Sequence, residues 1–365
     1  MGTGRDVFSI TGIDYTVGTG GSWVMTSVTI GVDGLGLIAY YQDNGYDLNV
    51  VHCSNVACTA FTISTLDSIG EVGVYPSVAI GVDGLGFISY YDSTNGHLKV
   101  AHCSDIACTA ATVSTIDNSS GRGEFDSLTI GADGLGLISY YGASGAFWVA
   151  HCSNVNCTTA SINQLDLGPG TRALYTSATI GADGLPLISY YNSEESYLKV
   201  AHCSDVACAS ATYSSIDSGT FQGISITVGT DGRGIISYLD KVNGLLKVAH
   251  CSDIDCSSAT ISTIEVVGGG SWTLQTSMAI GSDGLGFISY YDDNNADLRV
   301  AHCSNVMCTA VTSYILDGTG IVGLWTSVTI GVDGFPLISY FDYGHRVLNV
   351  AHLSNVFGIP NVRYR

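Results

Sequence analysis

Short apolar runs separated by turn residues follow one another along the chain. Between Tyr75 and Asp117 they read SVAI, GFISYY, HLKVAHC and CTAATVSTI, with an Asp-Gly turn, an Asn-Gly loop and a short hairpin between them. Such runs, bounded by Gly, Asn and Asp, predict four antiparallel β-strands. The second run contains two adjacent apolar residues, Phe87 and Ile88, and therefore lacks the alternation of a strand with one side in water. We expect a sheet covered on both faces.

This four-run pattern occurs seven times. The Asp-Gly turns follow one another at spacings of 50, 50, 50, 48, 52 and 50 residues. They begin at Asp33, Asp83, Asp133, Asp183, Asp231, Asp283 and Asp333. Repeats of this length with four strands are typical of β-propeller blades. The sequence therefore predicts an all-β fold, a single seven-bladed β-propeller domain (residues 1–365) of four-stranded antiparallel blades, in which residues 354–365 are a C-terminal tail.

The two ends of the chain predict how the ring closes. Residues 7–14, VFSITGID, match the fourth run of the repeat, whereas the seventh repeat supplies three runs and stops near His352. We expect the N-terminal strand to complete the last blade, because this pairing removes an exposed sheet edge.

Cys-x4-Cys pairs occur at the third hairpin of six repeats. They are Cys53 and Cys58, Cys103 and Cys108, Cys152 and Cys157, Cys203 and Cys208, Cys251 and Cys256, and Cys303 and Cys308. A histidine precedes each first cysteine, which leaves metal binding as an alternative, but adjacent strand residues point to opposite faces. Disulfides are favoured, and they indicate an oxidising, extracellular or periplasmic compartment. The seventh repeat has Leu353 and Phe357 instead, as closure by the N-terminal strand predicts.

The charge balance limits the classes of partner that the protein is expected to bind. Lys and Arg number 12 against 32 Asp and Glu, for a formal net charge of -20 and a pI near 4.4. Nucleic acid and anionic membranes would be repelled. No stretch has the length of a membrane span, and residues 1–20 lack the basic start and apolar core of a signal peptide, so the start is interpreted as a processed end. We expect an extracellular or cell-surface protein without membrane insertion.

Three polar residues recur in every repeat. They are a strand-one serine (Ser27, Ser77, Ser127, Ser177, Ser225, Ser277, Ser327), a strand-two tyrosine (Tyr40, Tyr90, Tyr140, Tyr190, Tyr238, Tyr290, Tyr340) and a strand-three histidine (His52, His102, His151, His202, His250, His302, His352). We predict that serine, tyrosine and histidine are hydrogen-bonded to one another inside each blade. Because the set is repeated sevenfold, it is interpreted as scaffold and no catalytic residue is assigned.

No cofactor is expected, with calcium as the open alternative. The Asp-Gly turns lack the regularly spaced oxygen ligands of a calcium loop and are interpreted as hairpin turns. The better calcium candidates are the acidic residues of the connection Asp292-Asp293-Asn294-Asn295, together with Asp297.

The connections between strands differ in their variability. The links from strand one to two and from three to four are nearly constant, whereas those from two to three and from four to one vary from repeat to repeat. The two variable links emerge on one face of the disc, which we call the variable face; the constant links emerge on the opposite, uniform face. Loops on a rigid scaffold are the usual place for binding. Aromatic residues gather there near the channel: Trp23, Tyr75, Phe125, Tyr175, Phe221, Trp272 and Trp325. They are candidates either for stacking on sugar rings or for plugging the channel.

The motif ISYYD followed by LKVAHC resembles propeller repeats of secreted bacterial proteins described as lectin-like or sialidase-like. The resemblance covers nearly the whole chain and implies the fold more than any one activity. The Asp-box pattern Ser-x-Asp-x-Gly-x-x-Trp of sialidases does not occur in any repeat, and only Arg122 and Arg172 lie in loops of the variable face.

Three functions are therefore considered. The first is a non-catalytic recognition or adhesion module for a glycan or a surface protein. The second is a polysaccharide lyase or glycosidase. Its candidate carboxylates are Glu71, Glu124, Asp126, Glu194 and Glu195. The third is a structural subunit of a surface filament or sheath that self-assembles through the uniform face.

Overall fold

The computed structural model of the protein is a ring of seven four-stranded antiparallel sheets. It describes residues 8–14, 24–43, 45–142, 145–166, 172–270 and 275–354. The predicted seven-bladed propeller is thereby confirmed. No helix in this described part of the chain is long and apolar enough to cross a lipid bilayer.

Each blade begins at the central channel and runs outward in chain order. The innermost strands are β2 (Val24–Ile30), β6 (Val72–Ile80), β10 (Arg122–Ile130), β14 (Ala173–Ile180), β18 (Phe221–Val228), β22 (Thr276–Ile280) and β26 (Val322–Ile330). The second strands are β3 (Gly36–Gln42), β7 (Gly86–Asp92), β11 (Gly136–Gly142), β15 (Pro186–Asn192), β19 (Gly234–Asp240), β23 (Gly286–Asp292) and β27 (Pro336–Asp342). We number the blades 1 to 7 in this order.

The outer half of each blade follows the same order. The third strands are β4 (Asp47–Cys53), β8 (His97–Cys103), β12 (Phe147–Cys152), β16 (Tyr197–Cys203), β20 (Leu245–Cys251), β24 (Asp297–Cys303) and β28 (Val347–Leu353). The outermost strands are β5 (Phe61–Asp67), β9 (Ala111–Asp117), β13 (Ala160–Leu165), β17 (Ala211–Ser218), β21 (Ala259–Val266), β25 (Val311–Asp317) and, for blade 7, β1 (Phe8–Asp14). The second strands are buried along almost their whole length, because neighbouring blades cover both of their faces.

The ends of the chain close the ring as predicted. Strand β1 pairs antiparallel with β28, from Phe8 opposite Leu353 to Asp14 opposite Leu348. The innermost strand of blade 1 also packs against that of blade 7. The predicted C-terminal tail lies outside the described residues except for Ser354.

The recurring serines join one blade to the next, so the predicted serine–tyrosine–histidine network is wrong. The backbone N–H of Val78 in blade 2 donates to Ser27 Oγ in blade 1, at 3.1 Å. The same bond recurs with Ser77, Ser127, Ser177, Ser225 and Ser277 as acceptors. The bond from Val28 N–H to Ser327 Oγ, 3.2 Å, completes the circle. Seven equivalent bonds therefore hold the channel wall together.

The recurring tyrosines reach an acid of the preceding blade. The Tyr90 hydroxyl donates to Asp67 at the end of β5, at 2.7 Å, and Lys99 Nζ donates to the same carboxylate. We call this residue and its equivalents the joint acids; they are Asp67, Asp117, Asp166, Asp217, Glu265 and Asp317. Although burial opposes it, the bonds from Lys99 and Tyr90 hold the pKa of Asp67 below its ordinary value. The joint acids are therefore buried or part-buried acidic groups with hydrogen-bonded partners in the next blade.

The recurring histidines contact the Asp-Gly turns. In each blade His Nε2 lies 2.8–3.0 Å from the Oδ2 of the turn aspartate. The other carboxylate oxygen, as in Asp83, accepts the backbone N–H two residues later. We call Asp83 with His102, and the six equivalents, the turn pairs. They tie the third strand to the turn between the first two strands on the uniform face.

All six predicted disulfides are present. They join residues five apart in sequence, with Cα atoms 4.8–4.9 Å apart. Each lies at the hairpin between the third and fourth strands, which also opens on the uniform face. Six disulfides of this kind are typical of a protein from an oxidising compartment.

Candidate functional site

A cavity of about 120 Å³ lies in the central channel, at the end where the variable connections enter the innermost strands. Each blade contributes to its lining the residue two positions before the recurring serine. These residues are Met25, Tyr75, Phe125, Tyr175, Gly223, Gln275 and Trp325. We call this cavity the channel mouth.

Backbone bulges place most of these residues. In blades 2, 3, 4, 5 and 7 the pairing between the first two strands shifts just before the serine. The lining residue of each such blade has a left-handed backbone, with φ of 53–55° at Tyr75, Phe125, Tyr175 and Trp325 and 56° at Gly223. Glycine adopts this conformation readily, whereas an aromatic residue is strained in it. Bulges of this kind turn a side chain out of the strand and are frequent beside functional sites.

The four strained aromatic residues form a crescent on one side of the channel mouth. The ring centroids of Tyr75 and Phe125 are 4.6 Å apart, and those of Phe125 and Tyr175 are 4.8 Å apart. Trp325 meets Tyr75 edge to face at 6.3 Å. Burial raises the pKa of Tyr75 and of Tyr175, so both phenols are uncharged at neutral pH. The other three blades carry no aromatic ring at this position, since Gly223 and Gln275 occupy it in blades 5 and 6 and Met25 occupies it in blade 1, between Trp325 and Tyr75.

The structure brings together four of the seven predicted aromatic residues, Tyr75, Phe125, Tyr175 and Trp325. The placement of Phe221 at the channel was wrong. Its side chain is 0% exposed and packs against Tyr191 and Tyr238 in the core. The lining residue of blade 5 is Gly223, two positions later. Trp23 and Trp272 lie outside the described residues.

Asp126 is the one carboxyl group among the described residues that line the channel mouth. It is 9% exposed, and Ser89 of blade 2 donates its hydroxyl to Asp126 Oδ2. Asp126 Oδ1 is buried and has no hydrogen-bond partner. Burial raises the pKa of this carboxyl well above its ordinary value. A buried acid with a free oxygen at a cavity is a functional-site candidate.

The equivalents of Asp126 show that the fold does not need an acid there. Four blades place threonine at this position, and each threonine bonds to the second-strand serine of the preceding blade. The pairs are Thr26 with Ser339, Thr176 with Ser139, Thr276 with Ser237, and Thr326 with Ser289, at 2.6–2.9 Å. In blade 2, Pro76 takes this position, and the preceding blade has Ala39 instead of serine. The acid in blade 3 is therefore specific to the site.

The other candidate carboxylates lie outside the cavity lining. Glu71 accepts the Tyr41 hydroxyl at 3.1 Å, and Glu195 pairs with Lys199 at 3.0 Å. Burial raises the pKa of Glu124, the neighbour of Phe125. For Glu194 the structure gives a backbone bond to Asn192. The described residues therefore do not place a second carboxylate in the cavity opposite Asp126.

Arg122 and Arg172, the two arginines predicted for the variable face, have local partners, and the structure also places Arg346 there, in the connection between β27 and β28. Arg122 lies over the Trp148 ring, 3.6 Å from its centroid, and bonds to the joint acid Asp117 at 3.2 Å. Trp148 occupies the position that holds Lys99, Lys199, Lys247 or Arg299 in four other blades, and Arg122 supplies the cation in blade 3. A hydrogen bond with Tyr141 raises the pKa of Arg172. None of these arginines lines the cavity.

The acidic connection proposed for calcium is a hydrogen-bonded turn. Asp292 accepts the backbone N–H of Asn294 at 3.1 Å and the side-chain amide of Asn295 at 2.8 Å. Asp293 accepts the backbone N–H of Gly270. Asp240 forms the same turn with its neighbouring asparagine in blade 5, which marks the motif as structural.

Among the described residues, one group of three side chains has the composition of a metal site: Asp183, His202 and Asp255. It extends the turn pair of blade 4, since His202 Nε2 lies 2.8 Å from Asp183 and Nδ1 lies 3.4 Å from Asp255. The two carboxylates face different nitrogens of one ring, and both nitrogens cannot bind the same ion. The arrangement therefore favours a histidine held between two carboxylates.

Comparisons with known proteins identify the fold alone. No protein-family model and no curated protein matches the chain. Among solved structures, hydrazine synthase of Kuenenia stuttgartiensis is similar with a TM-score of 0.61 and 13% identity, over 88% of this chain and 94% of that one.

Two further similar structures are carbohydrate-related by name. Periplasmic gluconolactonase PpgL of Pseudomonas aeruginosa has a TM-score of 0.56 and 14% identity, over 80% of this chain and 86% of that one. An α-L-arabinanase of Penicillium chrysogenum, solved with arabinobiose, has a TM-score of 0.53 and 11% identity, over 78% and 93%. At such identities these likenesses carry the propeller fold and no activity, so the lectin-like or sialidase-like character of the repeat stays a prediction.

Proposed function

We propose that the protein is a non-catalytic recognition module that binds a glycan or a surface protein at the channel mouth. The propeller supplies a rigid ring, and the variable connections surround the cavity on one face. The oxidising compartment indicated by the disulfides fits a secreted or surface-exposed protein. Its partner would lie outside the cell.

The aromatic crescent is the observation that carries this proposal. Four blades hold a strained aromatic residue at a bulge where glycine would cost less, and all four side chains line one cavity. Strain that persists at a cavity is an argument for function rather than for folding. Aromatic rings provide large, rigid contact area for a sugar face or for an apolar part of a protein side chain.

Hydrolysis of a glycan is less well supported by the same cavity. A glycosidase needs two carboxyl groups on opposite sides of the scissile bond. The described lining provides Asp126 alone. The structurally similar arabinanase shows that a propeller can hold a sugar, which is compatible with binding and does not distinguish the two functions.

The test is to replace the crescent with the residue that blade 5 already uses. Trp325→Gly and Phe125→Gly copy Gly223, relieve the backbone strain and leave the bulge intact. Binding to glycan arrays and to panels of surface proteins should fall by about tenfold or more for each variant, as for a central aromatic contact. Val82→Ala removes a side chain that is 65% exposed on the uniform face and serves as the control. Unchanged binding in both glycine variants would contradict the proposal.

Self-assembly through the uniform face is a second candidate. Val32, Val82 and Val332 come from three adjacent blades and are 61%, 65% and 67% exposed. Each packs beside the turn glycine of the next blade, so the three form one apolar arc. The net charge of -20 opposes stacking of identical copies. Concentration-dependent assembly in light scattering, lost in Val82→Asp, would support this candidate.

A further inference from the structure

We infer that the aromatic crescent and Asp126 together form a cage for an organic ammonium group. The inference rests on the proposed function and names the part of the ligand that enters the cavity. The shared chemistry is a cationic nitrogen with apolar substituents. Its two possible sources are the amine of an amino sugar in a glycan and the free or methylated side chain of lysine in a surface protein.

The aromatic rings provide the walls of the cage. Tyr75, Phe125, Tyr175 and Trp325 line one cavity, and neighbouring ring centroids are 4.6–6.3 Å apart. A cation positioned over aromatic faces is attracted by their negative quadrupoles, and several rings around one ammonium group are the usual form of this recognition. The phenols are uncharged, so they act as neutral π-surfaces.

Asp126 provides the acidic group that such a cage needs, and a bound cation would favour its ionised form. Its Oδ1 is buried at the cavity wall without a partner, while its Oδ2 is held by the Ser89 hydroxyl. No Lys, Arg or His belongs to the described residues of the lining. A bound ammonium group would supply the missing counter-charge and, where its nitrogen carries a proton, a hydrogen-bond donor as well. An anionic sugar would meet a buried acid and no cation among the described lining residues.

The repeat shows that this acid is not a requirement of folding. Threonine forms the same link between blades at four of the seven equivalent positions, as with Thr176 and Ser139. Blade 3 alone places an acid there, and it does so between Tyr75 and Tyr175 in the ring order. The acid and the aromatic side chains therefore depart from the repeat on the same side of the channel.

The size of the cavity favours a compact head group. Its volume is about 120 Å³. A void of about 150 Å³ holds a single benzene molecule. An ammonium head with its methyl or methylene groups fits such a space, whereas an oligosaccharide would remain outside it. The net charge of -20 also attracts cations toward the protein.

The experiment is calorimetric titration of the whole protein with choline and with its neutral isostere, in which carbon replaces nitrogen. We expect choline to bind at least about tenfold more tightly than the isostere. Asp126→Thr copies four sister blades and should abolish this difference. Asp126→Asn keeps an acceptor for Ser89 and repeats the test if the threonine variant does not fold. Equal binding of choline and the isostere, or no binding of choline, would overturn the inference.

Competition separates the sources of the ammonium group. Glucosamine against N-acetylglucosamine tests the amino sugar, and a trimethyl-lysine peptide against its norleucine analogue tests the protein side chain. If Trp325→Gly abolishes binding to glycans or surface proteins but choline does not compete, the recognition site stands and the ammonium inference fails. If Trp325→Gly binds partners as the parent protein does, the proposed function itself fails.

Discussion

On the uniform face, all seven blades carry the same turn pair, with a histidine 2.8–3.0 Å from its aspartate. At the channel mouth, the same blades carry six different residue types at the seven equivalent positions two residues before the recurring serine. The turn pair is repeated because the Asp-Gly turn must be bonded to the third strand in every blade. The residues of the channel mouth are free to vary because the seven bonds to the recurring serines, which we call the serine ring, already fix the innermost strands. Repetition thus marks the scaffold, and departure from it marks the site.

The comparison also shows where departures are compensated. Blade 3 has Trp148 in place of the strand-three cation, and Arg122 replaces the lost charge at the joint acid Asp117. Asp126 is different, because its free oxygen has no compensating partner. A substitution that the structure does not repair is therefore the stronger functional signal.

The largest expected effect is on the scaffold. Lys247→Met removes the cation that bonds to Asp217 and Asp240, both at 3.0 Å, and leaves the part-buried carboxylate of Asp217 and the buried one of Asp240 without it. We expect the free energy of unfolding to fall by about 3–5 kcal/mol, as for one broken partner of a buried ion pair. Urea denaturation followed by tryptophan fluorescence measures this change.

Arg233→Met is the matched control for that variant. Arg233 is exposed and lies 4.0 Å from Asp231. Its removal should change the stability by less than about 0.5 kcal/mol. Similar losses in the two variants would show that the joint acids do not depend on their buried cations.

The next effect concerns the disulfides of the uniform face. Replacing Cys251 and Cys256 together with alanine opens a loop whose ends are five residues apart. Loop-closure entropy predicts a loss of about 2 kcal/mol. The melting temperature should fall without a change in ligand binding. A loss of binding at the channel mouth would show that the two faces are coupled.

Much of the fold was predictable because it is repeated. The period near 50 residues, the Cys-x4-Cys pairs and the unmatched fourth strand at the N-terminus were sufficient for seven blades and their closure. The partners of the recurring tyrosines were not predicted, because they lie in another blade: Tyr90 bonds to Asp67 of the preceding one. A signal was present, since an acid ends the fourth run of each repeat, as Asp117 and Glu265 show.

The candidate site was predictable only in part. Counting back two positions from each recurring serine finds the one lining position that all seven blades share, whereas choosing the nearest aromatic residue in each loop led to Phe221. The bulges that turn Tyr75 and its equivalents into the channel depend on backbone conformation, which residue types alone did not indicate. The free oxygen of Asp126 depends on contacts between blades and required the structure.

Replacing Asp126 with the threonine that four other blades carry at this position should make the protein more stable. The folded-state pKa of Asp126 is raised by burial, so its contribution is most favourable at acidic pH and is lost as pH rises through that raised pKa. Asp126→Thr removes the buried acid and restores the link that Thr176 makes. We expect a gain of about 1–2 kcal/mol at neutral pH and a smaller gain in acid. Thermal unfolding across pH measures it, and an equal gain at every pH would contradict the raised pKa.

The smallest expected effect is the loss of a single turn pair. His151→Gln removes the ring nitrogen that lies 2.9 Å from Asp133, at a part-buried position on the uniform face. The turn keeps its backbone bond from Leu135 to the same aspartate, so the loss should be about 0.5–1 kcal/mol. Because six other turn pairs and the serine ring remain, binding at the channel mouth should be unchanged in titration with the ligand of the parent protein. His352→Gln, in the blade closed by the N-terminal strand, provides the matched comparison. A larger loss of stability in His352→Gln would show that the seven turn pairs share one geometry but contribute unequally to the free energy of unfolding.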